Sequence, residues 1–222
     1  MSIVKNEFIA LVGPNGSGKT TLLKCLDKLN TEWNGCILLN GNDLHSYNHK
    51  DLAKIVAYVP QQLGDLPDYS VRKFVELSRY AWDGDDGAVE RALKDVGMLD
   101  FAERRLGSLS GGELQKVSIA SALAQETEII LLDEPTAFLD PKFSQQVWHL
   151  LKQINTSRKC TIVAVTHDIN SAAACADKIC GLKEGKVVAL HTPSDFMNRS
   201  ILNPLFDADF EVSDTPLRVW LS

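Results

Sequence analysis

The feature that most constrains this chain is the octapeptide GPNGSGKT, which spans Gly13–Thr20. It follows Phe8–Val12, a short apolar run typical of a buried strand, and it precedes leucines that recur at helical spacing. Glycines let the backbone N–H groups of such a loop point inward, and the start of the following helix attracts anions. The order strand, loop, helix therefore predicts a polyphosphate-binding loop and not an ordinary glycine turn.

Two side chains at the end of this loop are suited to a nucleotide. The Lys19 ammonium group can reach the outer phosphates, and the Thr20 hydroxyl group can be a ligand for Mg²⁺. The spacing G-x-x-x-x-G-K-T thus predicts a site for a nucleoside triphosphate together with Mg²⁺.

A second buried strand ends in two carboxylates. Residues Glu128–Glu134 read EIILLDE, an apolar run that closes on Asp133 and Glu134. An aspartate in this position beside a phosphate loop holds Mg²⁺ through water, so we expect this role for Asp133. Glu134 can polarise the water molecule that attacks the terminal phosphate. Acidic turn residues before Pro135 are the alternative interpretation, which the upstream loop disfavours.

Two further strands end in polar residues. Residues Thr161–Val165, TIVAV, lead to His167, and ligands bind where parallel strands end, so His167 is expected to contact the terminal phosphate. Tyr58–Gln62, YVPQQ, has the pattern of a strand that exits into a polar loop.

The middle of the chain has a helical pattern. VRKFVELSRY and AVERALKDV lie within about residues 71–96, and the DGDDG stretch, Asp83–Gly87, is predicted as the loop between them. LSGGELQK, Leu109–Lys116, then opens another helix. Ser110, with the two glycines that follow it, is predicted to form a second anion-binding helix start, although a plain helix cap would also explain the motif.

Composition excludes several classes of protein. The chain has 222 residues, 45% of them hydrophobic, and a formal net charge of −6, which argues against broad nucleic-acid binding. It has no apolar run near the ~20 residues of a membrane span and no signal peptide pattern at its start. Its five cysteines are scattered without a CxxC pair, which favours reduced thiols. His45 and His49 are interpreted as solvated surface residues, not metal ligands.

Taken together, the motifs resemble the ATP-binding cassette family. GPNGSGKT, LSGGELQK, IILLDEPT, FLD and VTHD occur in that family's order and approximate spacing, and the resemblance covers nearly the whole chain. It implies ATP and Mg²⁺ as ligands. The resemblance implies these nucleotide-binding residues: Gly13, Pro14, Asn15, Gly16, Ser17, Gly18, Lys19, Thr20, Thr21, Ser110, Gly111, Gly112 and Asp140.

The same resemblance implies the catalytic roles. Glu134 would be the general base and His167 the switch histidine, both acting with Lys19. Gln61 would be the Q-loop glutamine, which touches Mg²⁺ beside Thr20 and Asp133 and senses a membrane partner. Ser110 and Gly112 would contact the γ-phosphate bound by the opposite subunit, and Asp140 would cross the dimer interface.

The resemblance also implies the partners. Two chains, as a homodimer or a cassette pair, would associate head to tail around two ATP molecules, and hydrolysis would let them part. The motion would be delivered to separate integral membrane permease subunits, so the chain would lie at the cytoplasmic face of the membrane. An extracytoplasmic solute-binding protein would be an indirect partner, and no nucleic acid is expected.

Three segments of the chain suggest a branch of the family. VRKFVELSRYAW, PTAFLDPK and HTPSDFMNRSILNPLFDADFEV resemble importers of iron chelates, haem or cobalamin. The alternatives are a soluble cassette ATPase that acts in translation or DNA repair, a small-molecule kinase, and a regulatory cassette that only binds nucleotide. A DNA-repair form would have long coiled-coil insertions, and a translation form would usually contain each motif twice. A kinase has no role for LSGGE. Glu134 and His167 argue against a cassette that only binds nucleotide.

The start of the chain departs from the family pattern. Members usually have a strand or two before the loop, with an aromatic residue that stacks on adenine, whereas only twelve residues precede Gly13 here. Phe8 is the sole aromatic residue among them and is predicted to lie in the core. Either the chain is a shortened form or another residue supports adenine. The lost stacking would cost ~1–2 kcal/mol, about tenfold in ATP affinity.

The predicted fold is an α/β P-loop NTPase core with a mainly parallel sheet and shortened N-terminal antiparallel strands. As one domain of residues 1–222, it would have a core of about 1–64 and 126–222 and an inserted helical subdomain of about 65–125. Leu182–Leu190, LKEGKVVAL, is predicted as a turn into a strand, and residues beyond His191 as a helix and a final extended segment.

Overall fold

The computed structural model describes residues 1–84, 87–214 and 217–221. Asp85 and Asp86 of the predicted DGDDG loop lie outside the described residues. The strands in chain order are β1 (Phe8–Val12), β2 (Leu38–Leu39), β3 (Asn42–Asp43), β4 (Val56–Val59), β5 (Ile129–Asp133), β6 (Thr161–Val165), β7 (Lys178–Lys183), β8 (Lys186–His191), β9 (Phe210–Asp214) and β10 (Leu217–Leu221).

The α-helices lie between and after these strands. They are α1 (Lys19–Leu26), α2 (His49–Leu52), α3 (Val71–Leu77), α4 (Ala88–Asp95), α5 (Gly111–Ala124), α6 (Pro141–Arg158), α7 (Ile169–Cys175), α8 (Pro193–Phe196) and α9 (Arg199–Phe206). None of the helices in the described ranges combines the length and the hydrophobicity that a membrane span requires.

The central sheet is mainly parallel, as predicted. Its strands lie in the order β4-β5-β6-β1-β7-β8, and only β8 runs antiparallel to its neighbour. β1 and β6 are buried at every residue because helices cover both faces of the sheet. Two short antiparallel pairs, β2 with β3 and β9 with β10, lie outside this sheet.

Alternate residues of the central strands point into two apolar clusters. Phe8, Ala10 and Val12 belong to the cluster that also contains α5 and α6 residues, whereas Ile9 and Leu11 belong to the cluster with α1. The Phe8 ring is fully buried, and its centroid lies 6.0 Å from that of Trp148 on α6. Phe8 is therefore a core residue, as predicted, and presents no ring face to a nucleotide.

The middle of the chain forms the predicted helices, with one difference in length. α3 ends at Leu77 and not at Tyr80, because the chain continues as tight turns in which Ser78 N–H donates to Val75 and Arg79 N–H donates to Glu76. α5 begins immediately after Ser110, as the LSGGELQK motif predicts.

The last third of the chain contains more strands and helices than the sequence predicts. The interpretation of Leu182–Leu190 as one turn and one strand missed β7, which ends at Lys183 and pairs with β1. The turn lies at Glu184 and Gly185, where φ is 49° and 74°. Two helices, α8 and α9, and a β-hairpin follow in place of one helix and one extended segment.

Candidate active site

The phosphate loop lies at the carboxyl end of β1, the edge of the sheet where ligands bind in open parallel folds. Gly16 and Gly18 have φ values of 74° and 98°, so the loop turns twice through conformations that favour glycine. Pro14 is half-buried and Asn15 and Thr21 are exposed, whereas Ser17 is buried and its N–H donates to the Pro14 carbonyl at 3.2 Å.

Two neighbours fix the shape of this loop. A Cβ atom at Gly13, where φ is 150°, would lie 2.0 Å from the Leu182 carbonyl oxygen of β7, so only glycine fits there. The N–H of Gly185, in the turn between β7 and β8, donates to the Ser17 carbonyl at 3.0 Å. The turn that the sequence placed near Leu182 therefore supports the phosphate loop.

Lys19 is buried inside the loop. Its Nζ donates to the carbonyl oxygens of Gly13 and Pro14, both at 2.9 Å, and lies 3.5 Å from Ser17 Oγ. Burial lowers the pKa of Lys19, and the charges of Glu134 and Asp133 oppose that shift. The ammonium group is thus positioned between the loop and the acidic residues of β5.

The residues at the start of α1 fit a polyphosphate. Gly18 is the N-cap of this helix and offers no side-chain acceptor to the first N–H groups, and no acidic residue lies in the first turn. A Cβ atom at Gly16 would meet no atom within 4 Å, so the loop is open at this point. Free helix-start N–H groups beside an ammonium group form a binding surface for anionic oxygen.

The two carboxylates at the end of β5 contact different partners. Asp133 is buried, and its Oδ1 accepts a hydrogen bond from Thr20 Oγ1 at 2.9 Å. Its Oδ2 accepts from the Tyr58 hydroxyl at 3.2 Å. Burial, followed by the charge of Asp133 and this hydrogen bond, raises the pKa of Tyr58, which remains a donor.

Glu134 lies between two polar side chains from neighbouring strand ends. Gln61 Nε2 donates to Glu134 Oε2 at 2.9 Å, and His167 Nε2 lies 2.8 Å from Glu134 Oε1. The chain turns sharply at Glu134, where φ is 49°, while its N–H donates to the Val165 carbonyl. The structure therefore brings together Lys19, Thr20, Gln61, Asp133, Glu134 and His167, all predicted from the sequence.

The oxygen atoms at this edge suit Mg²⁺. No group of three or more His, Cys, Asp or Glu side chains in the described ranges could hold a metal by itself. Mg²⁺ commonly takes only one or two protein ligands and completes its octahedron with substrate phosphates and water. The Thr20 hydroxyl, Asp133 and the Gln61 amide oxygen have the donor chemistry that such a partial set requires.

The signature residues form a separate helix start. Ser110 is the N-cap of α5, and its N–H and hydroxyl both donate to Glu113 Oε2, at 2.7 and 2.8 Å. The backbone hydrogen bond from Ser110 contributes most to lowering the pKa of Glu113. A Cβ atom at Gly112 would lie 3.0 Å from the Phe143 ring of α6, so α5 and α6 pack closely here.

Asp140 has a local structural role. It is the N-cap of α6 and accepts hydrogen bonds from the N–H groups of Lys142 and Phe143, at 3.0 and 3.1 Å. Within the residues described, no hydrogen bond or ion pair joins Ser110, Gly111, Gly112 or Asp140 to the phosphate loop. In the described part of one chain, the two sets of predicted nucleotide ligands thus share no hydrogen bond or ion pair.

Two residues near the site were not predicted. The YVPQQ pattern predicts a strand exit but no role for Tyr58, the one half-buried residue of an otherwise buried strand. Asp27 ends α1, and its charge contributes to the raised pKa of Tyr58. A hydroxyl group within an apolar strand was the signal for Tyr58, and a carboxyl group at the end of a helix was the signal for Asp27.

Asp27 should make stability depend on pH. Burial raises the pKa of Asp27 to about 7, and the negative end of the α1 dipole also disfavours its charge. The folded state therefore binds this proton more tightly than the unfolded state. The contribution of protonated Asp27 to stability is complete below about pH 4 and is lost as pH rises towards 7. Asp27→Asn is expected to increase the free energy of unfolding by about 2 kcal/mol at pH 8, and by less at pH 5.

Urea unfolding of both proteins at pH 5 and pH 8 measures this difference. Asp65→Asn changes an exposed carboxyl group and is the control. An equal gain in the Asp65→Asn protein, or a gain that does not grow with pH, would contradict the effect of Asp27 burial.

Comparison with known proteins agrees with this geometry. The ABC transporter family model matches residues 1–137. The chain is 37% identical to the iron(3+)-hydroxamate import ATP-binding protein FhuC of Bacillus subtilis (strain 168), over 97% of the chain and 83% of that protein. It is 33% identical to the ferric enterobactin transport ATP-binding protein FepC of Escherichia coli (strain K12), over 98% and 83%.

Solved structures show the same fold. The chain matches cbiO1 of Clostridium perfringens, part of the cbiONQ ABC transporter complex, with a TM-score of 0.81 and 28% identity over 92% of the chain and 84% of that structure. A dimeric ATP-binding cassette in a post-hydrolysis state with ADP and Pi matches with a TM-score of 0.77 and 32% identity, over 87% and 88%. The chain therefore belongs to the ABC transporter family, as an ATP-binding domain.

Proposed function

We propose that this chain is the ATP-hydrolysing subunit of an importer and works as a pair of copies that close around ATP. The observation that carries the proposal is the position of Glu134. Its carboxylate is held at both oxygens, by Gln61 and His167, one residue after the carboxylate that Thr20 contacts. This arrangement joins a base to a phosphate loop, as hydrolysis of a terminal phosphate requires.

In the proposed reaction each residue has a defined part. Glu134 orients the attacking water and accepts its proton, while His167 and Gln61 hold the carboxylate in position. Lys19 and the N–H groups of the loop neutralise charge on the phosphates. Thr20, Asp133 and Gln61 would hold Mg²⁺, which neutralises phosphate charge when bound.

The pairing of copies is supported by the lack of hydrogen bonds between the two predicted nucleotide-binding surfaces within the described part of one chain. Ser110, Gly111 and Gly112 form a helix start on α5, and their surface would complete the site of a second copy. A head-to-tail pair would contain two such composite sites, with Asp140 beside the contact. A relative of this chain is dimeric in the structure that contains ADP and Pi.

Two complementary variants test the shared site. Lys19→Ala damages the loop but leaves the α5 start intact, and Ser110→Arg does the reverse. Mixed with ATP, the two proteins are expected to form pairs that contain one intact composite site, whereas neither protein pairs alone. Size-exclusion chromatography with light scattering measures the pairing. Full ATP turnover by the Ser110→Arg protein alone would contradict a site shared between copies.

The names of the relatives support a proposal for the cargo. FhuC is named for the import of iron(3+)-hydroxamate and FepC for the transport of ferric enterobactin. A third relative, the cobalamin import ATP-binding protein BtuD of Halobacterium salinarum, is 34% identical over 97% of the chain but only 56% of its own length. We therefore propose an iron chelate or cobalamin as the transported class, and the sequence resemblance to importers adds haem as a third candidate. The chain would bind permease subunits at the cytoplasmic face of the membrane through its helical region of about residues 65–125, and an external solute-binding protein would contribute indirectly.

The affinity for ATP is proposed to be low for this family. Phe8, the aromatic residue nearest the loop on its N-terminal side, is buried against Trp148 and does not stack on a base. Without an aromatic stack from another residue, the affinity would be lower by about tenfold. An ATP affinity equal to that of a version extended with an aromatic strand would contradict this.

A further inference from the structure

Tyr58 connects the strand that leads to Gln61 with the buried carboxylate of Asp133. It lies on β4, opposite Leu131 of β5, two residues before β5 ends at Asp133. Its side chain is half-buried, and its hydroxyl group donates to Asp133 Oδ2 at 3.2 Å. The contact joins residues 75 positions apart in the chain.

Both carboxylate oxygens of Asp133 therefore accept a hydrogen bond, and the two donors lie on different elements. Thr20 of α1 donates to Oδ1 at 2.9 Å, and Tyr58 of β4 donates to Oδ2. The terminal torsion of an aspartate is otherwise broad, so a second donor on the opposite oxygen fixes the plane of the carboxylate. The direction in which the remaining lone pairs of Asp133 point then depends on Tyr58.

We propose that Tyr58 is a positioning residue that orients Asp133 towards the Mg²⁺ of bound Mg–ATP. This inference rests on the proposed function, because Asp133 has a metal to orient only in a nucleotide-hydrolysing site. Partners of this kind fix the orientation of a metal ligand, and their loss weakens metal binding. The Tyr58 hydroxyl group donates to Asp133, so its removal is expected to change Mg²⁺ binding more than the maximal turnover rate.

The test removes only the hydroxyl group, with Tyr58→Phe. The affinity for a non-hydrolysable ATP analogue is measured by calorimetry in EDTA and in Mg²⁺. The affinity in EDTA is expected to stay as in the wild type, whereas the gain that Mg²⁺ provides falls about three- to tenfold, as for one lost hydrogen bond. In turnover assays the Mg²⁺ concentration for half-maximal rate rises by a similar factor, and the rate at saturating Mg²⁺ changes less than twofold.

Tyr47→Phe is the matched control. Tyr47 is also half-buried, and its hydroxyl group donates to the Leu39 carbonyl at 3.0 Å, among residues that contact neither Asp133 nor Thr20. Equal losses of the Mg²⁺ gain in the Tyr47→Phe and Tyr58→Phe proteins would mean a general effect on folding. That result, or an unchanged gain in Tyr58→Phe, would overturn the inference.

A double-mutant cycle tests whether Tyr58 acts through Asp133. If Tyr58 acts through Asp133, Tyr58→Phe is expected to have no further effect on the Mg²⁺ gain in an Asp133→Asn protein. Additive losses would overturn the role as a positioning residue. A wild-type chain that fails to bind the analogue at all would instead contradict the proposed function, so the two failures are distinguishable.

Discussion

Glu134→Gln is expected to reduce ATP turnover at least a hundredfold while ATP affinity changes less than about threefold. An amide group of the same shape cannot accept the proton of the attacking water, and general-base catalysis contributes about 10²–10⁴-fold. ATP affinity is retained because Lys19, Thr20 and the loop are unchanged. Steady-state phosphate release measures the turnover, and equilibrium binding of labelled ATP measures the affinity.

Glu128→Gln is the control for this change. Glu128 immediately precedes the opposite end of β5, is exposed and pairs with Lys5 at 2.9 Å, so its charge is removed without any contact with the site. Turnover of the Glu128→Gln protein should match the wild type. Phosphate release by the Glu134→Gln protein at the wild-type rate would show that another group is the base.

Lys19→Ala is expected to weaken ATP binding about a hundredfold and to reduce turnover below detection. The buried ammonium group donates to two loop carbonyl oxygens, and a charge-assisted hydrogen bond contributes about 1.5–3 kcal/mol. Its loss removes both the attraction for the phosphates and a support of the loop. Calorimetric titration with ATP measures the affinity.

Lys24→Ala lies on the same helix at an exposed position and controls for helix content and net charge. Thermal unfolding should show that both proteins remain folded. ATP turnover that persists unchanged in the Lys19→Ala protein would mean a contaminating ATPase or a different nucleotide site.

The strand ends that carry the chemistry could be predicted because each is a local pattern. Thr161–Val165 is predicted with its observed bounds, and the run around Leu131 differs only at its ends, since the uninterrupted apolar residues of a buried parallel strand have few alternatives. The convergence of Gly13, Glu134 and His167 then follows from the parallel sheet. Predicting this convergence needs only the parallel direction of the strands and not their order in the sheet.

The features that the sequence did not reveal depend on distant contacts. β7 reads KICGLK, and its Gly181 weakens the strand pattern, yet a Cβ atom there would lie 3.0 Å from Leu205 and 3.4 Å from Phe196. The glycine thus leaves room for side chains of the helices that follow β7 in the chain. The contact between Tyr58 and Asp133 likewise depends on the pairing of β4 with β5, which no spacing within either segment specifies.

The most direct test of the shared site is the mass in solution of the Glu134→Gln protein. With Mg²⁺ and ATP, light scattering should give about twice the 24.5 kDa of one chain, because unhydrolysed ATP joins two copies. With ADP the mass should return to that of a single chain. A protein that binds ATP yet stays monomeric at every concentration, including beside its permease, would contradict the account.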